Sequence, residues 1–149
     1  MALLNVHFTP PADIAAVVIA ALQNAQTSVL VLAYDFTSAP IAAALKSAHA
    51  RGVDVEIVAD GSPANSNNAR FDEMAAAGIP IYLDHVHKIM HEKVMIVDGV
   101  QTLTGSYNWT TAAELENAED LVVITDQQTA AAYAANFALH RAHSVAWHP

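Results

Sequence analysis

The sequence predicts an α/β fold in which helices cover both faces of a mixed β-sheet, and three observations carry that expectation. Nearly continuous apolar runs at Ser28–Tyr34 and Val94–Val97 have the composition of strands covered on both sides. Helical patterns separate the runs, the alternation that builds an α/β sandwich. Asp98-Gly99, placed between two β-prone stretches, signals a hairpin, so antiparallel pairs must join the sheet. With 149 residues, 54% of them apolar, the chain has material for one domain spanning residues 1–149.

In chain order, Leu3–Phe8 is a β-prone opening, and Thr9 can cap a helix whose first turn accepts Pro10 and Pro11 and which runs to about Gln26. Val17, Val18, Ala21 and Leu22 supply its buried stripe. Ser28–Tyr34 is the first central strand, followed by a helix from about Pro40 to Ala50 that Arg51-Gly52 ends. Val53–Ala59 is the next strand. Asp60-Gly61-Ser62-Pro63 and the polar run Asn65–Asn68 form a helix-entry loop before a helix from about Ala69 to Ala77, which Gly78 closes. Ile79–Leu83 is a short strand and residues 84–90 a His-rich connection. Lys93–Val97 and the residues after Gly99 form the hairpin, Thr110–Leu115 a helical turn, Leu121–Thr125 a last strand, and Gln127 to about His143 an alanine-rich helix. There is no internal repeat.

Charge narrows the partners. Six Lys and Arg against fifteen Asp and Glu give a formal charge of −9, which excludes a broad basic surface. A polyanion would have to meet a local patch, and the candidates are His85, His87, Lys88, His91 and Lys93; eight histidines let such a patch charge below neutral pH. No cysteine is present, so disulfides and thiolate metal sites are excluded while the redox compartment stays open. No apolar run reaches the roughly 18–20 residues of a membrane helix, so stable membrane insertion is not expected. The start at Met1-Ala2-Leu3-Leu4 reads as a domain trimmed to its folded boundary.

Chemistry concentrates in residues 91–119. Side chains alternate along a strand, so His91 and Lys93 share a face, and a two-residue turn pairing Val97 with Val100 sets Ser106 opposite His91 and Thr104 opposite Lys93. Asn108 lies two residues beyond Ser106, on the same side of an extended backbone. An imidazole, an ammonium, a hydroxyl and an amide then converge, a nucleophile or proton carrier among donors aimed at anionic oxygens. Glu119 can orient the imidazole. Asp98, in the turn, points away from His91 and reads as structural.

The pattern His-x-Lys-x4-Asp-x6-Gly-Ser-x-Asn, formed by His91, Lys93, Asp98, Gly105, Ser106 and Asn108, resembles the HKD motif of the phospholipase D superfamily. The later Asn117-x-Glu119 agrees with it. The opening VHFTPPADIAAVVIAALQNAQTSVLVLAYDFTS and the middle ARGVDVEIVAD resemble the superfamily's short, one-motif bacterial endonucleases, so the similarity covers nearly the whole chain. The resemblance implies a phospholipase D-like α/β sandwich whose active site needs two HKD motifs. This chain has one, so a homodimer sharing its site across a two-fold axis is implied. It further implies that one His91 attacks phosphorus while the other protonates the leaving oxygen, through a phosphohistidine intermediate that water hydrolyses. Lys93 and Asn108 would hold the nonbridging oxygens, Ser106 and Glu119 would fix an imidazole, and no metal or other cofactor is called for. Lys88 and His87 are further candidates for substrate contact. The similar bacterial nucleases are typically exported, which implies a periplasmic or secreted protein if a leader was removed and a cytoplasmic one otherwise.

The expected activity is therefore metal-independent phosphodiester hydrolysis, with DNA and then RNA as substrate and little sequence preference. Competing readings are a phospholipid phosphodiesterase acting on a lipid such as cardiolipin, a nucleic-acid-binding module without turnover, and a metal-dependent hydrolase using His85, His87 and His91. For single residues the plain alternatives are a solvated loop for His85 and His87, helix capping for Ser106 and Asn108, and a strand-edge acid for Glu119. Trp109 reads as a core anchor ahead of a base-stacking platform.

Overall fold

The computed structural model describes residues 1–66 and 69–148; Asn67 and Asn68, the end of the proposed helix-entry loop, lie outside the described residues. The elements are β1 (Leu3–Thr9), α1 (Ile14–Asn24), β2 (Ser28–Ala33), α2 (Ala39–Ala50), β3 (Asp54–Asp60), α3 (Pro63–Ser66), α4 (Phe71–Ala76), β4 (Ile81–Asp84), β5 (Val94–Val97), β6 (Gln101–Gly105), α5 (Thr111–Leu115), β7 (Glu119–Thr125), α6 (Gln127–His143) and β8 (Val145–Ala146). One eight-stranded sheet runs β1-β7-β6-β5-β2-β3-β4-β8. Only β2-β3 and β3-β4 are parallel; the remaining neighbours are antiparallel, so the sheet is mixed as expected.

Both faces of the central strands are covered, which is why β2 and β5 are apolar without alternation, while β3 begins with the polar-apolar alternation Asp54-Val55-Glu56 and is apolar from Ile57 to Ala59. On one face Val29, Val31, Ile57, Met95 and Leu103 pack with Ile14, Val18 and Leu22 of α1, Ile41 and Leu45 of α2, and Met74 of α4. On the other, Leu32, Val58, Val94 and Ile96 meet Ala130 and Phe137 of α6. Helix α6 packs over β2–β6. The sheet's same face continues onto β7 and β1, where Leu4, Val6 and Phe8 are 62, 53 and 58% exposed.

Three local expectations are corrected. The cap of α1 is Asp13, whose carboxylate accepts from the Ala16 N–H, while Thr9 ends β1; the two prolines occupy the link between them. Strand β5 starts at Val94, so His91 and Lys93 precede it. The hairpin register is slipped by one: Val94 faces Thr104 and Val97 faces Gln101. Asp98 and Gly99 do form the tight turn, with φ 55° and 63° and a Val100 N–H to Val97 carbonyl bond of 3.1 Å, but Val100 is an extra residue in the connection. Its carbonyl is taken by the Asp126 N–H at 2.9 Å. The slip leaves Val94 and Ile96 toward α6 with Thr102 and Thr104 beside them; a one-residue shift would turn every side chain to the opposite face.

Candidate active site

The segment after β6 places the motif residues by simple alternation. Tyr107 and Trp109 are fully buried, whereas Ser106 is exposed and Asn108 half-buried, so an extended backbone sends two aromatic anchors inward and two polar groups outward. Trp109 is a core anchor: its indole N–H donates to the Leu32 carbonyl at 3.0 Å, and its own carbonyl accepts from the Thr37 and Ser38 N–H groups. The Tyr107 hydroxyl donates to Glu114 at 2.9 Å, and the same carboxylate oxygen accepts from the Ala15 N–H at 2.9 Å. Burial, then that bond and the Glu114 charge, push the phenol pKa far above its ordinary value. Gly105 is required by contact, because a Cβ there would lie 2.3 Å from the Asp120 carbonyl oxygen.

The expected convergence is present despite the changed register. His91, Lys93, Ser106 and Asn108 line one open cavity of about 470 Å³ with Glu92, Val94, Thr104, Gly105 and Tyr133. His91 is exposed and packs edge-on against Tyr34, ring centroids 4.5 Å apart. Lys93 is buried; its ammonium donates to the His91 carbonyl and lies 5.1 Å from the Tyr34 ring centroid. Burial lowers the Lys93 pKa, and the negative charge of Glu119 opposes that fall. The buried Asn108 Oδ1 has no hydrogen-bond partner among the described residues, so its amide is not committed to the fold through that atom.

Behind the cavity, Ser106 donates from Oγ to Glu119, and the Asp120 N–H donates back to Ser106 Oγ at 3.0 Å. Glu119 also accepts from the Asn117 amide at 3.0 Å. Among the described residues the Glu119 carboxylate is thus bonded to Ser106 and Asn117, and not to His91. Asp98 stands apart as a turn brace, its carboxylate accepting from the N–H groups of Gln26, Thr27 and Ser28 and from the Thr27 hydroxyl. Its burial raises the pKa, but these bonds outweigh it and the net shift is downward.

Other candidates sit elsewhere. Lys88 is exposed on the connection outside the cavity lining, and the His87 imidazole is turned to Asp84, Nδ1 to Oδ2 2.8 Å. His85 lies against Gly61. Two residues of the cavity lining escaped sequence reasoning, Glu92 and Tyr133, and so did Tyr34, which packs against His91. Tyr34 closes an apolar run that reads as core, and Tyr133 lies in an alanine-rich helix whose inward face the sequence marks only weakly.

Comparison with known proteins places this geometry. Residues 18–141 match the family model described as cardiolipin synthase, PLD-like domain. The phospholipase D of Rickettsia conorii is 38% identical over 130 residues, covering 87% of this chain and 65% of the relative; the mitochondrial cardiolipin hydrolase of Xenopus tropicalis is 31% identical over 116 residues, covering 78% and 55%. The chain therefore spans about two thirds or less of these relatives' lengths. The crystal structure of Nuc, a phospholipase D family member from Salmonella typhimurium, superposes with a TM-score of 0.91 at 33% identity and covers all of both chains. A sheet matched from end to end, with His91, Lys93 and Asn108 around one cavity, agrees with these similarities, and the chain belongs to the phospholipase D superfamily.

Proposed function

We propose that the chain is a metal-independent phosphodiesterase that works as a homodimer, each copy supplying one His91, and that its substrate is DNA. The observation carrying this reading is a cavity open to solvent and furnished with one imidazole, one ammonium and one amide. The neutral His91 of one copy attacks phosphorus, forming a P–N bond as the P–O ester bond breaks. The partner's His91, protonated, gives its proton to the leaving oxygen; water then cleaves the P–N bond, with that imidazole now accepting a proton. Lys93 and Asn108 stabilise the charge on the nonbridging oxygens. Glu119, bonded to Ser106 and Asn117 and not to the His91 of its own chain, orients the partner's His91.

The exposed sheet face supports the dimer. Phe8, Val6 and Leu4 form an apolar strip, with Val6 in line with Val122, Thr104 and Val94 across the strands, and the last two line the cavity. A second copy seated on this strip would cover an apolar face that is exposed in the single chain and bring a second imidazole toward the first. DNA is favoured because Val94 is the one aliphatic residue in the cavity lining, which suits an exposed phosphate better than an acyl chain, and Tyr133 offers a ring for stacking.

One observation favours a lipid instead. Val86 and Ile89 are exposed on either side of Lys88, on the connection leading to His91, and the relatives named above include phospholipase D and cardiolipin hydrolase. Incubation with plasmid and with cardiolipin vesicles, in EDTA and at a temperature where the protein stays folded, separates the readings. Plasmid cleavage by the wild type and none by His91→Ala supports the nuclease. Vesicle hydrolysis alone replaces the substrate, and a wild type inert on both overturns the phosphodiesterase.

A further inference from the structure

We propose that Asp84, His87, His140 and His143 form a binding site for a zinc-type divalent cation, which fastens the end of α6 to the connection carrying His91. The site lies outside the catalytic cavity. Its residues come from three places in the chain: Asp84 ends β4, His87 follows on the connection, and His140 and His143 are one turn apart near the end of α6, sharing a helix face. Strand β8 completes the approach by pairing Val145 with Leu83, beside Asp84.

The geometry is that of a ligand set. His87 Nδ1, His140 Nδ1 and His143 Nε2 lie 2.8, 2.9 and 2.9 Å from the same oxygen, Asp84 Oδ2, and the four candidate ligand atoms are all within 4.8 Å of one another. No other group of three or more His, Cys, Asp and Glu among the described residues meets that standard. Three imidazole nitrogens and one carboxylate oxygen are the donors that a tetrahedral Zn²⁺ takes at about 2.0–2.2 Å, and imidazole-rich sets select zinc-like ions over magnesium or calcium.

Two outer contacts have the form expected around a metal ligand. Asp84 is buried, and its other oxygen, Oδ1, accepts from the N–H groups of Val86 and His87 at 2.9 and 3.3 Å, which aims Oδ2 at the imidazoles. His140 presents its second nitrogen, Nε2, to Glu92 Oε1 at 3.2 Å, leaving Nδ1 for the cation. A carboxylate behind a ligating imidazole fixes its tautomer. Asn136 also donates to Glu92, so one turn of α6 holds the residue next to His91 while the following turn supplies ligands. Binding would displace any proton held between Asp84 and the three imidazoles. The cation would then serve as the cross-link that a cysteine-free chain lacks, and it takes no part in the phosphoryl chemistry.

The test uses the full-length protein stripped with chelator and then freed of it. Titration with Zn²⁺ is expected to show one equivalent bound per chain and a Tm higher by roughly 5–10 °C at saturation. Co²⁺ is expected to give the intense visible bands of a tetrahedral centre. His143→Gln and His87→Gln should each weaken binding by at least about tenfold and abolish those bands, whereas His91→Ala should bind as the wild type does. His87→Gln changes an exposed side chain, so it remains informative should His143→Gln fail to fold. Absence of saturable binding by the wild type, or binding lost in His91→Ala and kept in His87→Gln, overturns the site. Because His91→Ala separates metal binding from hydrolysis, failure here is distinguishable from failure of the proposed activity.

Discussion

Tyr34 stands beside two residues of the motif: its ring packs edge-on against His91 at 4.5 Å between centroids and lies 5.1 Å from the Lys93 ammonium. One aromatic side chain at the end of β2 therefore sets the position of the imidazole and partly replaces the water that Lys93 has lost. The contact depends on the ring, not on the hydroxyl. Tyr34→Ala should lower turnover by about tenfold, in keeping with the cation–π attraction and with lost orientation, while Tyr34→Phe should stay near wild type. Steady-state kinetics on the cleaved substrate check this; equal losses in both variants would refute a role for the ring.

Lys93 is held against its own stability. Its charged form is buried and its folded pKa is lowered, so the unfolded chain binds the proton more readily. Stability consequently rises with pH between the depressed folded value and the ordinary lysine value, and the penalty is fully present below the folded value. Lys93→Met should melt no lower than wild type at pH 7 yet lose about 10²- to 10³-fold in turnover, the cost typical of removing one oxyanion donor. Thermal melts and single-turnover rates give the two readings.

Asp98 presents the opposite sign. Four donors from residues 26–28 hold its carboxylate below the usual range against its desolvation. Its contribution is complete above the unfolded carboxylate pKa and is lost as pH falls through the folded value. Asp98→Ala should destabilise by about 2–4 kcal/mol near neutrality, leaving backbone donors unpaired, and by less in acid. Urea melts at neutral and acidic pH would expose a pH-independent loss if the account is wrong.

Gly105 is constrained by the neighbouring strand. A methyl group there would overlap the Asp120 carbonyl, which is fixed backbone in β7, so Gly105→Ala should cost about 3 kcal/mol through displacement of β6 from β7. The same displacement would move Ser106 from Glu119, so activity should fall further than the folded fraction measured by circular dichroism.

The proposed homodimer seats its second copy on the strip of β1, and that placement can be tested. Phe8→Glu places a charge on the apolar face beside the cavity without touching the core, since Phe8 is 58% exposed. The expected outcome is a folded monomer with hydrolysis reduced at least about 100-fold at low protein concentration, the loss of a proton-transferring group. Sedimentation with activity measured across concentrations decides it; a fully active monomer would end the shared-site reading.

Much of the chain was legible without coordinates because two signals reinforce each other. Apolar runs such as Ser28–Tyr34 mark strands covered on both sides, and the motif spacing marks one short region as the site. Boundaries were less legible where side chains act at a distance. Asp13 displaced Thr9 as the cap of α1 because its carboxylate reaches the Ala16 N–H. The hairpin register depended on Asp126 holding the Val100 carbonyl, a contact from far along the chain.

What the sequence determined by itself is the type of fold and the chemical inventory of the cavity, since periodicity is local and His91, Lys93, Ser106 and Asn108 lie within eighteen positions of one another. Tertiary structure alone decided which distant groups meet. It placed Tyr34 beside His91, Glu119 on Ser106 rather than on its own chain's imidazole, and His140 and His143 around Asp84, more than fifty residues away. Strand order and helix docking set such contacts, and they follow from the packing of the whole sheet, which no short window of sequence contains.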